Sequence, residues 1–350
     1  MDQITRIFID TSKSVFQLHG VNGAEQVVLR RKLRRSEMVG FFSKLGPTVV
    51  GLEACGASHH WARVLTELGH QVRLIAPQHV KPYIKRNKND ARDAEGGCEA
   101  MSRPTMGFVP VKTAEAQGAL MLMGVRDRLV RQRTQLTNAI RGHASEFGLV
   151  AAKGLDKIEP LLARLAEEET SLPPLARALF AGLSDEYAAL CERLKAVEAR
   201  LKTWHRADAD SRRLAKIPGV GPIGACLLVM KTPDAKSFKS GRLFSAWIGL
   251  TPKDHSTAGK QRLGVITRAG DEALRSVLVS GAMAVIQQAQ RRPDQASPWL
   301  ISLLKRKPAK LAAVALANKT ARIAWRLLVT GEDYDPQRMF GEPAMAAEAA

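Results

Sequence analysis

The sequence predicts an α/β domain followed by a long helical remainder, and three observations carry that prediction. Short apolar runs alternate with helix-forming stretches and turn residues over residues 5–76. From about Ala114 to Arg206 strand signals vanish, and stretches rich in Ala, Leu, Arg and Glu take over. Residues 207–335 open on a glycine-proline hairpin and close on two further helical stretches, around 271–290 and 308–330. A chain of 350 residues exceeds one ordinary core, so two or three domains are expected.

Taken in order, Ile7-Phe8-Ile9 is an apolar run ending in Asp10, and Val15 to Leu18 and Gln26 to Leu29 are further strands beside the turn at Asn22-Gly23. Ser36 is placed to cap a helix running to about Leu45. Thr48 to Leu52 reads as a buried strand ending at Glu53. Ser58 is placed to cap a helix that Gly69 stops, and Val72 to Ile75 is the next strand. Three strands, helix, strand, helix, strand, then helix is the order of an RNase H-like sheet, here over residues 1–110. The middle segment, 111–206, is broken at Gly148–Gly154 and at Leu172-Pro173-Pro174. Such a segment forms a helical hairpin or coiled coil that packs or dimerises. Residues 207–335 form a third, helical unit, and the tail 336–350, ending GEPAMAAEAA, is expected to lack order.

Net charge is +19, which points away from a neutral small-molecule enzyme and toward a polyanionic partner such as nucleic acid. Four cysteines lie far apart without a CxxC pair, so neither zinc nor a disulfide framework is expected, and free thiols suit a reducing cytoplasm. MDQITRIFID lacks the layout of a signal peptide, and no apolar run reaches the length of a membrane span.

Four acids stand out. Asp10 ends the first strand, Glu53 ends the fourth, and Asp90 and Asp93 lie three apart in NKNDARDA. If that stretch opens a helix, the spacing puts both on one face. An RNase H-like sheet sets its first and fourth strands side by side with the last helix across them, so all four carboxylates would converge. Hard oxygen ligands in such a cluster suit two Mg²⁺ ions that stabilise the attacking and leaving oxygens of phosphodiester cleavage. Each acid alone has an ordinary alternative: Asp10 as a turn cap, Asp90 as a partner of Lys88 or Arg92. Lys81, Lys85, Arg86 and Lys88 flank the pair and suit phosphate contacts or a solvated basic face.

In IPGVGPIGA, Gly219 and Gly221 allow a tight helix-hairpin-helix-like turn whose N–H groups can face a phosphate; a purely structural hairpin is the alternative. The loop Lys253 to Gly264 is small, glycine-bearing and basic, with Ser256 as a candidate hydroxyl and Lys260 and Arg262 as phosphate contacts. From Gln295 to Gly331 there are seven cations, Lys305, Arg306, Lys307 and Lys310 among them, and no acid, which suggests a nucleic-acid face.

The chain resembles the DEDD transposases of the insertion-sequence 110 family, more closely its 1111 branch. The likeness rests on IFIDTSK, GLEACGASHHW, NKNDARDAE, IPGVGPIGA and FSAWIGLTPKDHSTAGKQRLGVITRAGDEALR, and spans residues 5–335. It implies a RuvC-like domain whose Asp10, Glu53, Asp90 and Asp93 bind Mg²⁺, and a C-terminal transposase domain with a nucleophilic serine. Ser256 matches that serine; the branch often reads Ser-Ser or Ser-Thr and then Gly-Gly there, where this chain continues with Thr257 and Ala258, so Thr257 stays open as the aligned hydroxyl. The resemblance also implies a noncoding guide RNA from the element, DNA as substrate, and a homo-oligomer, a dimer or a tetramer on DNA. The expected activity is RNA-guided site-specific recombination through a phosphoserine link. The alternatives are a RuvC-like structure-specific endonuclease using water, and a non-catalytic nucleic-acid-binding protein on a decayed transposase fold.

Overall fold

The computed structural model describes residues 3–84, 89–167, 171–232 and 234–336. The expectation for the tail lies, from residue 337 on, outside the described residues. The chain divides into two compact units, one ending at Gln117 and one beginning at Gly118.

The first unit is a six-stranded mixed sheet. Its strands are β1 (Ile4–Thr11), β2 (Val15–Asn22), β3 (Val27–Arg34), β4 (Val49–Glu53), β5 (Gln71–Ile75) and β6 (Phe108–Val109), in the order β3-β2-β1-β4-β5-β6. β1 runs antiparallel to β2 and parallel to β4, as the RNase H-like order requires. Being central, β1 is covered on both faces, so Ile7, Phe8 and Ile9 are all buried and the run is unbroken. On one face Ile7, Ile9, Leu18, Leu33 and Leu52 pack with Met38 and Phe42 of α1 (Met38–Phe42) and Trp61 and Leu65 of α2 (Ser58–Glu67). On the other, Phe8 packs with Val80 of the short α3 (Pro77–Val80) and with Cys98 and Ala100 of α4 (Asp90–Ala100).

Two expected caps are replaced. A 3₁₀ turn over Arg35–Glu37 precedes α1, and there the Glu37 carboxylate, not Ser36, accepts the Arg34 N–H at 2.6 Å. Ser58 is the first residue of α2, and its hydroxyl bonds back to Cys55. At α1 a neighbouring acid takes the backbone donor, whereas at α2 the serine turns back to the preceding turn and no side chain caps the helix. β6 had no apolar run to announce it: it is two residues paired to Leu74 and Ile75.

The second unit holds the remaining helices and one small hairpin. α5 (Ala114–Glu146) starts before the division and runs into this unit; α6 (Ile158–Ala166) and α7 (Pro174–Ala207) follow. Leu136 and Ile140 of α5, Leu161 and Leu165 of α6, and Tyr187, Leu190 and Leu194 of α7 share one apolar core. A second core joins α8 (Ala209–Leu214), α9 (Pro222–Lys231), α10 (Gly241–Ile248), α11 (Glu272–Arg291), α12 (Pro298–Arg306) and α13 (Ala309–Thr330). α13 presents Ala312, Ala313, Ala317, Ala321 and Ala324 inward, small side chains that let it lie close to α10 and α11. Between α10 and α11, β7 (Pro252–Asp254) and β8 (Leu263–Ile266) pair as an antiparallel hairpin where the sequence suggested only a loop. All four cysteines are free thiols. No helix among the described residues is long and apolar enough to cross a membrane.

Gly97 of α4 sets how near that helix comes to the sheet. A Cβ there would lie 2.2 Å from the Phe8 ring, which is itself fully buried. Gly97→Ala should therefore push α4 outward and destabilise the protein by about 1–3 kcal/mol, the usual cost of overpacking. The denaturant midpoint measures this, and an unchanged midpoint counts against the close approach.

Candidate active site

Asp10 and Glu53 sit one residue beyond Ile9 and Leu52, the last paired positions of the parallel β1–β4 ladder. They are thus level, at the strand ends, and both are half-buried. Side chains alternate along a strand. Ile9 and Leu52 face the α2 core, so Asp10 and Glu53 turn to the face that α4 covers. α4 begins at Asp90, and the Asn89 side chain caps it by accepting the Arg92 N–H at 3.0 Å. Asp90 and Asp93 occupy its first turn.

Carboxylate oxygens of Asp10, Asp90 and Asp93 lie within 4.8 Å of one another, close enough to share a cation. Glu53 stands level with this cluster without being one of the three. The Asp93 Oδ1 is buried and has no hydrogen-bond partner among the described residues. A buried carboxylate oxygen without a donor is costly unless a cation satisfies it. Oxygen donors only, converging and partly buried, fit a hard divalent ion.

Lys81 is exposed in the 3₁₀ turn Lys81–Tyr83 that leads toward the cluster. Lys85, Arg86 and Lys88 lie outside the described residues. Next along the chain from Glu53, His59 is buried in α2: its Nδ1 accepts the Lys112 N–H at 3.2 Å, and the Lys112 ammonium lies 3.1 Å from Nε2. Burial, then Lys112 and Arg63, push its pKa down to about 4.

In the second unit, seven residues, 215–221, connect α8 to α9. Gly219 has φ +83°, and a Cβ there would meet the Gly281 carbonyl oxygen at 2.8 Å, so this glycine is required by packing on α11. Gly221 caps α9 and has open space beside it. At the β7–β8 hairpin, Thr257 and Lys260 pair across Ala258 and Gly259, whose φ values are +48° and +76°. Positive φ at both central residues is the signature of a type I′ turn. Ser256 precedes this turn and is exposed. Its Oγ accepts the Arg262 N–H at 3.0 Å, and its own N–H donates to Asp254 Oδ1 at 2.8 Å. Ser256, its side chain ahead of its N–H, holds the Asp254 carboxyl below its usual range. Asp254 is the site residue that the sequence reading passed over; an aspartate two residues before a serine in a glycine-bearing loop is the signal that flags it. Lys260 and Arg262 are exposed on the same hairpin. Lys305, Arg306, Lys307 and Lys310 are exposed around the turn from α12 to α13.

Comparison with known proteins assigns both segments of the chain to one family. A DEDD-type transposase model matches residues 8–148, which include the four acids. A model described as "Transposase IS116/IS110/IS902 family" matches residues 211–297, which include both hairpins. The transposase for insertion sequence element IS1328 of Yersinia enterocolitica is 39% identical over 331 residues, covering 95% of this chain and 98% of that protein. The chain belongs to the IS110/IS116/IS902 transposase family. The transposase for IS1111A of Coxiella burnetii is 39% identical over 335 residues, 95% of this chain and 92% of that protein. A Sinorhizobium fredii protein named as a transposase is 65% identical over 335 residues, 95% and 86% of the two chains. As a transposase of an insertion sequence, the chain is an enzyme of DNA recombination.

Two measurements follow from this geometry. Ala258 holds a left-handed conformation that disfavours side chains, so Ala258→Gly should stabilise the hairpin by roughly 0.5–1 kcal/mol net of its greater unfolded freedom. Slower hydrogen exchange at the Lys260 N–H reads this out; equal or faster exchange contradicts the turn assignment. For His59, the unfolded side chain binds a proton near pH 6.5 while the folded one refuses it until about pH 4. Stability should therefore be flat above about pH 6.5 and fall as pH drops toward 4. A His59→Gln variant should show a shallower fall over that window in pH-dependent melts, and an equal slope would assign the loss to other groups.

Proposed function

We propose that this transposase cuts and rejoins DNA with a Mg²⁺ centre held by Asp10, Asp90 and Asp93, with Glu53 completing the ligand set, and with Ser256 as nucleophile. The observation that carries the metal reading is the three-carboxylate cluster with its unpartnered, buried Asp93 oxygen. Two bound Mg²⁺ ions would supply Lewis-acid stabilisation of charge on the attacking and leaving oxygens. Ser256 supports the nucleophile role through its exposure and through two bonds that orient it: the Arg262 N–H holds its oxygen, and its own N–H donates to Asp254. In the step, a Ser256 Oγ–phosphorus bond forms as one phosphorus–oxygen ester bond of the strand breaks. The serine proton leaves to solvent by way of the neighbouring Asp254 carboxylate, and the departing strand end takes one proton from solvent to become a free hydroxyl, so the protons balance. Ester count is unchanged, so the phosphoserine link can be reversed by a different strand end, which is recombination.

The substrate is held as a polyanion. Lys81, Lys260, Arg262, Lys305, Arg306, Lys307 and Lys310 are exposed cations suited to backbone phosphates, and the N–H groups near Gly219 and Gly221 suit one more. Lys85, Arg86 and Lys88 join this set from sequence alone. Choice of site by an element-encoded guide RNA, and action as a homo-oligomer in which α5 and α7 mediate dimerisation, complete the proposal.

The test pairs two variants on a DNA substrate in Mg²⁺. Asp93→Asn should abolish cleavage, because an amide oxygen is a weaker ligand, while folding is kept. Ser256→Ala should lose the covalent protein–DNA adduct and recombination, since removing a nucleophile removes the chemistry. Its cost to the hairpin is about one exposed hydrogen bond, roughly 1 kcal/mol. Cleavage by Ser256→Ala at the wild-type rate, with no adduct in either protein, replaces this reading with the water-using endonuclease. Full activity of Asp93→Asn removes the metal centre.

A further inference from the structure

β3 is the edge strand of the sheet and the most basic element of the first unit. Between Val27 and Ser36 it and its turn carry Arg30, Arg31, Lys32, Arg34 and Arg35, and no acid. Alternation divides these cations between two faces. Arg31 shares a face with the buried Leu33 and lies over the Phe41 ring at 5.4 Å. Arg30, Lys32 and Arg34 project from the other face, all exposed. That is the face of the carboxylate cluster. Asp10 pairs with Gln17, and Gln17 pairs with Lys32, so one row across three strands leads from the acid to the lysine. At strand spacings of about 4.8 Å, the Asp10 and Lys32 backbones stand roughly 10 Å apart. α4 packs on β1 and β2, leaving the cations of β3 exposed alongside it.

Round the end of β3 the stripe meets a recess on the opposite, α2 side of the sheet. Arg34 is also one wall of an open cavity of about 660 Å³ at the end of β3, bounded by Lys13, Arg35, His60 and Trp61. Trp61 is only 4% exposed, yet its indole N–H has no hydrogen-bond partner among the described residues. Arg35 lies over that indole at 5.3 Å. The nearby acid, Glu37, is engaged by the Arg34 N–H. A recess lined by Lys13, Arg34 and Arg35 suits an anionic oxygen.

We propose that Arg30, Lys32 and Arg34, with the recess walled by Lys13 and Arg35, form a track for the backbone phosphates of the DNA strand delivered to the carboxylate cluster. The charges recur every second residue, about 7 Å along β3, a repeat that an extended strand's successive phosphates can follow. The side of the sheet decides for DNA as the occupant: Arg30, Lys32 and Arg34 are level with, and on the same face as, the acids that act on it, and the recess takes the strand on round the edge. It therefore rests on the reading of those acids as the cutting centre.

The test is binding of a labelled DNA duplex of arbitrary sequence to the full chain, by anisotropy across a salt series. Each phosphate contact contributes about 0.9 to the slope of log affinity against log salt. The triple variant Arg30→Gln, Lys32→Gln, Arg34→Gln should lower the slope by about two to three and weaken binding at least tenfold. Lys13→Gln, in the turn after β1, should lower it by about one. Arg31→Gln, on the opposite face, should leave it unchanged. An unchanged slope in the triple variant overturns the track, as does an equal loss in Arg31→Gln, which would mean net charge alone. A loss seen with an RNA duplex but not with DNA overturns DNA as the occupant. Asp10→Asn separates the two readings: it should bind with the wild-type slope and not cut. If it cuts while the triple variant loses slope, the cutting centre lies elsewhere and the surface is a DNA site without the delivery role.

Discussion

The close approach of α4 to the sheet is the constraint on which the N-terminal site rests. Phe8 is inward on β1 and fills the space that side chains at positions 51 and 97 would otherwise take; Cβ atoms there would lie 2.6 and 2.2 Å from its ring. With glycine at both, the aromatic ring serves as the spacer between helix and sheet. Asp93 is four residues, about one turn, before Gly97, so the depth of the helix at Phe8 sets the depth of Asp93 beside Asp10. Asn89 fixes the remaining freedom, because a cap bonded to Arg92 settles where the first turn starts and hence which way Asp90 and Asp93 point.

This arrangement opposes itself electrostatically. Two like charges about 5 Å apart repel by about 3 kcal/mol at an effective dielectric of 20, less where solvent screens them. A helix N-terminus returns only about 0.3–1 kcal/mol per carboxylate. The apolar packing of Phe8, Cys98 and Ala100 must therefore hold the acids together against their own repulsion. A cation resolves the conflict at its source, which is why a buried and unpartnered Asp93 oxygen says more than the count of acids does. Arg30, Lys32 and Arg34 lie about one Debye length away, near enough to moderate the field and too far to neutralise it.

Much of this was legible in the sequence, and the exceptions have common physical causes. The Ile7–Asp10 run, the strand ending at Glu53 and the Asn-Asp-x-x-Asp helix start are local signals that the structure keeps, because burial on both faces and a capped first turn each mark the chain directly. Ser36 misled because a nearby carboxylate takes the backbone donor, and Ser58 because its hydroxyl closes the preceding turn on Cys55 instead; neither choice is written in the serine alone. The β7–β8 hairpin escaped notice because it is short, exposed and polar; its turn has alanine at a left-handed position where glycine would have announced it. The two faces of β3 were hidden for another reason. Arg30 and Arg31 are chemically alike, and only the register against β2 assigns one to Phe41 and the other to the side of the acids.

The acids and the serine are built on opposite principles. The carboxylates ride on a buried sheet and a helix pressed against it, where positions hold against mutual repulsion. Ser256 stands on an exposed hairpin of two short strands, oriented by local bonds to Arg262 and Asp254 alone. For a small substrate such exposure would be a weakness, since water would compete with every contact. For the proposed attack on a polymer it is an advantage: a DNA strand is long and bulky, so a hydroxyl that is to reach its phosphorus is best placed projecting from the surface. What exposure loses in rigidity the hairpin recovers locally. The Arg262 N–H binds the oxygen from one side, and Asp254 anchors the backbone N–H of the same residue, so the hydroxyl is held at its base while its oxygen stays open to solvent.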